Sequence, residues 1–407
     1  MSNVATYDKM KDSGIEWVGN VPSHWRIHTL YQLVTQVKEK NSDLQEKNLL
    51  SLSYGKIKRK DIDSPDGLLP ASFDGYNIIE AGDIVLRLTD LQNDHTSLRV
   101  GVSTEHGIIT SAYTTLRPIN PSNSKYLYYL LHCFDLKKGF YGMGSGVRQG
   151  LNYAEVKELR IVLPNQKEQD SIVCFLDEKC AQVDTIIEET KANIAEYKSW
   201  KSSIIVEAVT KGLISPVEMK DSHIDWIGKI PRHWKLVQGK LVSTVNSGRE
   251  INGDGAVGHI DVYGSGGPFK KTNQIMHSGE AVLFGRKGTL GKPQYVDCDF
   301  WAVDTIYYAY ADSRYMKTKY LYYQLTALDW EPFITHTAIP SIVANDVFES
   351  SFVLPPIDEQ KAIIEHLDKQ VDFIDSLIIE KQNLITELEL YKRSLIFETV
   401  TGKRKVV

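Results

Sequence analysis

The chain has 407 residues, 42% hydrophobic and 24% charged, which is ordinary globular usage that excludes a disordered protein and leaves room for about two to three domains. Its formal net charge of −5 is awkward for a nucleic-acid binder standing alone, because non-specific DNA affinity comes from Lys and Arg displacing counterions. No stretch approaches the ~18–20 apolar residues of a membrane-spanning helix, and Met1–Lys9 has no apolar run behind a basic start, so neither membrane nor signal peptide is expected and the expected compartment is the cytoplasm.

In chain order, residues 10–25 read MKDSGIEWVGNVPSHW, with Trp17, His24 and Trp25 close together. The region from about 26 to 160 reads as a mixed α/β domain rich in short strands. Ile78–Leu91 and Gly107–Pro118 are strand-like runs separated by turns, and KYLYYLL from Lys125 is a short core helix whose tyrosines are expected to pack. Its cationic and polar loop residues are Lys56, Lys58, Arg59 and Lys60, then Arg87 and Arg99, then Arg148 and Gln149 in the run GMGSGVRQG.

From Leu163 the pattern changes period. Ile172, Leu176, Cys180, Val183, Ile187, Ile194, Tyr197, Ile204 and Ala208 fall at steps of three, four or seven, a coiled-coil seam on a helix that starts after Pro164 and ends near Gly212.

The second half repeats this order. MKDSHIDWIGKIPRHW begins at Met219, 209 positions after Met10, and carries Trp226, His233 and Trp234. Its variable region, about 235–350, has strand-like runs at Gly279–Pro293 and Trp301–Ala311, followed by KYLYYQL from Lys319. Here the polar loop candidates are Arg249, Tyr263, Ser265, Lys270, Lys271, Arg286, Lys287 and Lys292. A second seam, Ile363, Leu367, Val371, Ile374, Ile378, Ile385, Leu388 and Leu395, follows Pro355-Pro356, 191 positions after the first. Each seam is interrupted by polar residues at matching places: Thr190 and Lys201, then Lys381 and Lys392. A lysine there can bury its stem, keep its ammonium wet and help fix register.

The expected fold is therefore α/β: two mixed domains and two long antiparallel coiled-coil helices, with an internal pseudo-two-fold repeat. The boundaries expected are 1–160 and 213–353 for the two domains, 161–212 for the first helix, and 354–407 for the second helix and tail.

Catalytic signals fail one by one. Gly285 to Gly291 is one residue too long for a phosphate loop, and Lys292 is followed by Pro293. Gly144-Ser145-Gly146 and Gly264–Gly267 lack the strand–turn–helix context of a dinucleotide site. There is no Asn/Asp-Pro-Pro-aromatic run of an amino-group methyltransferase, and no carboxylate pair with a lysine marks a nuclease. Cys133, Cys174, Cys180 and Cys298 have no zinc spacing and are expected to be reduced packing or surface residues. His24 and His233, each beside two tryptophans, are expected to be buried and structural.

The duplicated MKDSGIEWVGNVPSHW frame, the LPxxxEQ-led helices ending in EAVTKG, and the phrases GSGVRQGLNY and VYGSGGPFKK…GRKGTLGK resemble type I restriction–modification specificity subunits. That resemblance covers essentially the whole chain. It implies two target-recognition domains, each reading one half of a split, asymmetric site in double-stranded DNA. It also implies long helices that set the gap and dock two methyltransferase subunits, with two restriction/translocase subunits able to join. S-adenosylmethionine, ATP and Mg²⁺ would belong to those partners and none to this chain. Shared affinity would make the acidic charge tolerable. The loop residues named above are the DNA-contact candidates; Arg and Gln read guanine and adenine edges, whereas Lys mostly neutralises phosphate. The seams and the Trp-Gly-Pro-His-Trp elements would be structural and partner-docking. A coiled-coil adaptor that spaces two proteins and never touches DNA is the alternative from another class.

Overall fold

Each copy of the frame motif folds back on itself as a small antiparallel pair. Met10–Asp12 pairs with Asn20–Pro22 in the register Met10↔Pro22, and Met219–Asp221 pairs with Lys229–Pro231 in the register Met219↔Pro231. The motif lysine locks the return: Lys11 donates to the Trp25 carbonyl at 2.6 Å and Lys220 to the Trp234 carbonyl at 2.5 Å. A strand leaves each motif and pairs with the strand that feeds the long helix, Arg26–Thr29 with Arg160–Leu163 and Lys235–Gln238 with Ser351–Leu354.

The computed structural model describes residues 5–63, 70, 72–94, 96–143, 150–214, 216–251 and 258–406. The chain divides into two units, Met1–Glu189 with Leu384–Val407, and Thr190–Asn383.

In the first unit a four-stranded sheet runs Val34–Gln36, Thr114–Pro118, Ile84–Leu86, Val100–Val102. Its central run Ile84-Val85-Leu86 is apolar without alternation because both faces are covered. Ile84 and Leu86 enter the main core with helix α1 (Ser124–Leu136), while Val85 enters a smaller cluster with Leu50, Leu52, Ile79 and Ile109 from two flanking two-stranded sheets. A one-turn helix, α2 (Tyr153–Val156), is capped by the Asn152 side chain, which accepts from the Ala154 N–H at 2.8 Å. Then comes the long helix α3 (Gln166–Lys211).

The second unit repeats this plan. Its four-stranded sheet runs Ser243–Ser247, Ile306–Ala311, Glu280–Gly285, Gln294–Asp297, and carries helix α4 (Thr318–Ala327) on the face of Val282 and Phe284. Its other face, through Ala281 and Leu283, packs on Phe300 and Ala302 of a three-stranded sheet. Helix α5 (Ala344–Glu349) stands where α2 stands in the first copy, and the long helix α6 (Ile357–Val400) follows.

Both long helices contribute to both units, and within each unit they run antiparallel. In the first unit Ile172, Leu176 and Cys180 of α3 share a core with Leu395, Ile396 and Val400 of α6. In the second, Ile205, Ala208 and Val209 share one with Ile363 and Leu367. The seam lysines end on carboxylates of the facing helix: Lys392 on Asp184 at 2.6 Å, Lys201 on Asp375 at 2.7 Å. These two pairs are repeat equivalents, so the polar interruptions pin the same register twice. Among the described residues no helix is long and apolar enough to cross a membrane. Cys133 and Cys180 are buried, Cys174 and Cys298 exposed, and burial pushes the Cys133 thiol up to about 12.

Candidate nucleic-acid interface

Each variable domain is fastened to a long helix. The holding is done by three side chains per copy. Trp25 is fully buried and its indole N–H donates to Glu168 in the first turn of α3 at 3.3 Å; Trp234 is equally buried and donates to Glu359 of α6 at 2.8 Å. The adjacent histidines reach the same carboxylates, His24 to Glu168 at 2.9 Å and His233 to Glu359 at 2.7 Å. The expectation of buried histidines is corrected here: the side chains are 51% and 47% exposed, because only the tryptophan needs the core while the imidazole closes the carboxylate from outside. The glutamates belong to the LPxxxEQ phrase, so two motifs far apart in sequence form one joint.

The KYLYY helices make a second joint. Lys125 and Tyr129 of α1 both bind Asp177 of α3, at 2.5 and 2.8 Å; Lys319 and Tyr323 of α4 both bind Asp368 of α6, at 2.8 and 2.6 Å. Tyr126 and Tyr320 are fully buried, and their hydroxyls donate to Val162, Val400 and Val209 carbonyls. These tyrosines pack and bond, as the helical spacing predicts.

The candidate DNA residues of the first unit are on two adjacent features. Lys56 and Lys58 project from one face of the strand Lys56–Arg59, with Ile57 turned to the core between them. Arg59 is tied to Glu105, and Lys60 follows at the strand end. The strand is reached through a tight two-residue turn in which Tyr54 and Gly55 both have positive φ, the geometry that suits a hairpin's twist. That turn rests on Leu98 and Val100, beside the segment holding Arg87 and Arg99. Arg87 is half-buried, 3.7 Å from Asp94.

Arg99 leaves the set of candidate contacts. Its side chain is fully buried and its guanidinium donates to the carbonyls of Arg87, Thr89, Asp90 and Asp94 and to the Tyr141 hydroxyl. Five fixed donors suit a loop that must be held from inside, so Arg99 shapes the 87–94 loop rather than touching a ligand. Asp94 is held well below the usual carboxylate range by hydrogen bonds from Ser97 and Thr96, with Arg99 adding to it. Arg148 and Gln149 lie outside the described residues.

In the second unit the structure gathers more than sequence did. Ser265, in the turn after Ile260–Gly264, accepts a hydrogen bond from the Thr289 N–H at 3.3 Å, and Gly288 passes so close that an added Cβ would stand 2.6 Å from the Ser265 hydroxyl. This joins the Tyr263–Ser265 phrase to the Arg286–Lys292 loop. Among the described residues, Lys56, Lys58, Lys60, Arg286, Lys287 and Lys292 meet no carboxylate at ion-pair distance. Lys270 instead lies over the exposed Phe269 ring at 5.7 Å, and Lys271 is paired with Asp261 at 2.7 Å. Arg249 is exposed, anchored through its backbone: its carbonyl accepts from the Trp301 indole at 2.9 Å.

Sequence reasoning missed a third segment. The short hairpin Ile334–Thr335/Ser341–Ile342 comes against the Arg286 loop: the Ile342 N–H donates to the Arg286 carbonyl at 3.0 Å, and Lys287 bridges to Ser341. Its tip, 336–340, is exposed throughout. The 191-residue offset would have found it, since that offset maps 336–340 onto 145–149, the stretch holding Arg148 and Gln149. Among the described residues no group of His, Cys, Asp and Glu gathers with metal-site geometry.

Comparison with known proteins completes the picture. The family model for the type I restriction modification DNA specificity domain matches residues 231–390. Two relatives from Methanocaldococcus jannaschii are similar along much of their length. One, provisionally named the type I restriction enzyme MjaX specificity subunit, is 22% identical over 96% of this chain and 96% of its own. The type I restriction enzyme MjaVIII specificity subunit is 25% identical over 74% of this chain and 75% of its own. Among solved structures, a chain described under complex assembly and conformational transition of the type I R-M system shares the fold at TM-score 0.69, with 13% identity, over 93% of this chain and 98% of that one.

Proposed function

This chain is homologous to type I restriction–modification specificity subunits, and from that premise we propose that it is the non-catalytic DNA-reading subunit of such a complex. Each unit presents one set of loops to one half of a split, asymmetric site in double-stranded DNA. The long helices set the gap and dock two methyltransferase subunits, and restriction/translocase subunits join them. S-adenosylmethionine chemistry on adenine, and ATP and Mg²⁺, belong to those partners, and the complex acts in the cytoplasm.

One observation carries the reading: the joints are duplicated and the loops are not. The Trp–His–Glu joint and the Lys–Tyr–Asp joint recur side chain for side chain. The surfaces they hold differ, a lysine hairpin in the first unit and a three-loop cluster around Arg286 in the second. Two different half-sites read by one repeated frame would require that combination. A protein adaptor with two like partners would have no use for divergent cationic loops.

The test is a long-read methylation map of cells expressing this chain with its methyltransferase partner and of cells expressing the partner alone. A split motif of methylated adenine that appears only with the chain is the expected result. A complex that forms yet marks no DNA refutes the reading and favours the adaptor.

A further inference from the structure

The exposed 336–340 tip adds a contact that neither the sequence motifs nor the comparisons assign. It carries Ile339, which is 65% exposed and is the one large apolar side chain of the tip. The tip stands on a two-stranded ribbon held to the cationic loop through the Ile342–Arg286 hydrogen bond and the Lys287–Ser341 bridge. Thr335 closes the ribbon base on the Ser341 hydroxyl at 2.8 Å, and Pro340 fixes the backbone immediately after Ile339. An apolar side chain on a stiff, narrow ribbon, beside Arg286 and Lys287, is arranged to be covered by something polyanionic that has an apolar group to offer.

B-DNA fits that description. Its major groove admits a two-stranded β-ribbon, and the one apolar group displayed there is the thymine methyl. Arg286 and Lys287 would meet phosphates or a guanine edge while the tip enters the groove. The alternative occupant, a protein surface, would have to tolerate two cations that meet no carboxylate among the described residues.

We propose that the 336–340 tip is a base-reading element of the second unit and that Ile339 reads a thymine methyl in its half-site. The inference rests on the DNA-recognition reading above. By the 191-residue offset Ile339 aligns in sequence with Arg148 of the first copy.

The experiment uses the full chain co-expressed with its methyltransferase partner. The motif is first mapped with wild type. Binding of the purified complex is then measured on duplexes carrying that motif with each thymine of the half-sites replaced in turn by uracil. Removing one buried methyl costs roughly fourfold in affinity. Wild type should lose about that much at one thymine in one half-site, and Ile339→Ala should bind thymine and uracil there equally, keeping the other half-site unchanged. A variant that still discriminates at every position overturns the inference while leaving the DNA reading intact. A wild-type complex that marks no split motif overturns both. If Ile339→Ala abolishes methylation altogether, Ile339→Val decides: retained methylation with weakened uracil discrimination supports the inference. Loss of the methyltransferase from the complex overturns it by making the tip a protein contact.

Discussion

The sharpest test of the frame is a pair of glycine substitutions in the second unit. Gly212 ends α3 at φ 74°, and a Cβ added there would stand 2.9 Å from Cζ2 of Trp234. Gly228, in the turn of the frame motif, has nearly the same backbone, φ 65°, and nothing within 4 Å. Left-handed backbone costs a non-glycine residue about 1–2 kcal/mol, so Gly228→Ala should lose about that and no more. Gly212→Ala should lose the same amount plus the cost of pushing a fully buried indole that is already bonded to Glu359. Overpacking of that kind adds about 1–3 kcal/mol, for a total of about 2–5 kcal/mol. Urea-dependent hydrogen exchange of peptides around Val209 and Trp234 reads the opening free energy of this unit. The Gly402→Ala variant repeats the experiment in the first unit, where the added methyl would run into the Pro22 ring beside Trp25. Equal losses for Gly212→Ala and Gly228→Ala would refute the claim that the helix end is packed against the tryptophan.

Other consequences are smaller or set by pH. The Lys392–Asp184 pair is 26% and 41% exposed, so a double-mutant cycle in urea should give a coupling below about 1 kcal/mol, and Lys392→Met alone should be close to neutral. His132 of α1 is buried, stacked on Tyr128, and held down to about 4 by desolvation first and then by Lys392 and Arg393. The folded pKa lies below the unfolded one, so the unfolded chain binds the extra proton first. Stability is then full above about pH 6.5 and lost as pH falls towards 4, by about 3 kcal/mol. His132→Leu should flatten that slope in urea titrations. His106 is bound by Glu80 at 3.0 Å and Glu46 at 2.8 Å and titrates higher than usual, chiefly through the Glu80 hydrogen bond. Its contribution is therefore present below the ordinary histidine range and lost as pH rises through its raised value, readable as faster exchange of the 105–109 amides and absent in His106→Asn. Four residues added to both long helices lengthen each by about 6 Å, and the unspecified gap in the methylation motif should widen by roughly one to two base pairs; an unchanged gap would count against the helices as the ruler.

The repeated parts were legible because they are governed by local rules. Apolar periodicity, prolines before the helices and Gly212 after the first predict α3 and α6, and the KYLYY spacing predicts α1 and α4 with packed tyrosines. Long-range pairing carried no such signal. That Glu168 and Glu359 would each take a Trp–His pair depends on docking one motif on another more than a hundred residues away. Arg99 looked like a surface cation because sequence shows charge and not direction; five acceptors around it turn it inward. The 336–340 tip escaped for the opposite reason. Ala338-Ile339-Pro340 has no charge, so a search for cations passes over it, and only the repeat offset or the hydrogen bond to Arg286 brings it to the site.

The joints also bear on the charge of −5. Lysines of the frame are spent internally: Lys11 and Lys220 on the tryptophan carbonyls, Lys125 and Lys319 on helix aspartates, Lys201 and Lys392 across the seams. The four paired with carboxylates add little to the field that a phosphate backbone would meet, and the two on carbonyls are fixed in place away from the loops. Cations without such a match in the described residues include Lys56, Lys58 and Lys60 of the hairpin after Tyr54 and Arg286, Lys287 and Lys292 of the loop after Gly285. A chain built this way holds little DNA by charge alone, so its loops can discriminate between sequences without trapping the protein on non-specific ones. On the proposed reading the remaining affinity comes from the subunits that dock on the frame, and recognition is conditional on assembly.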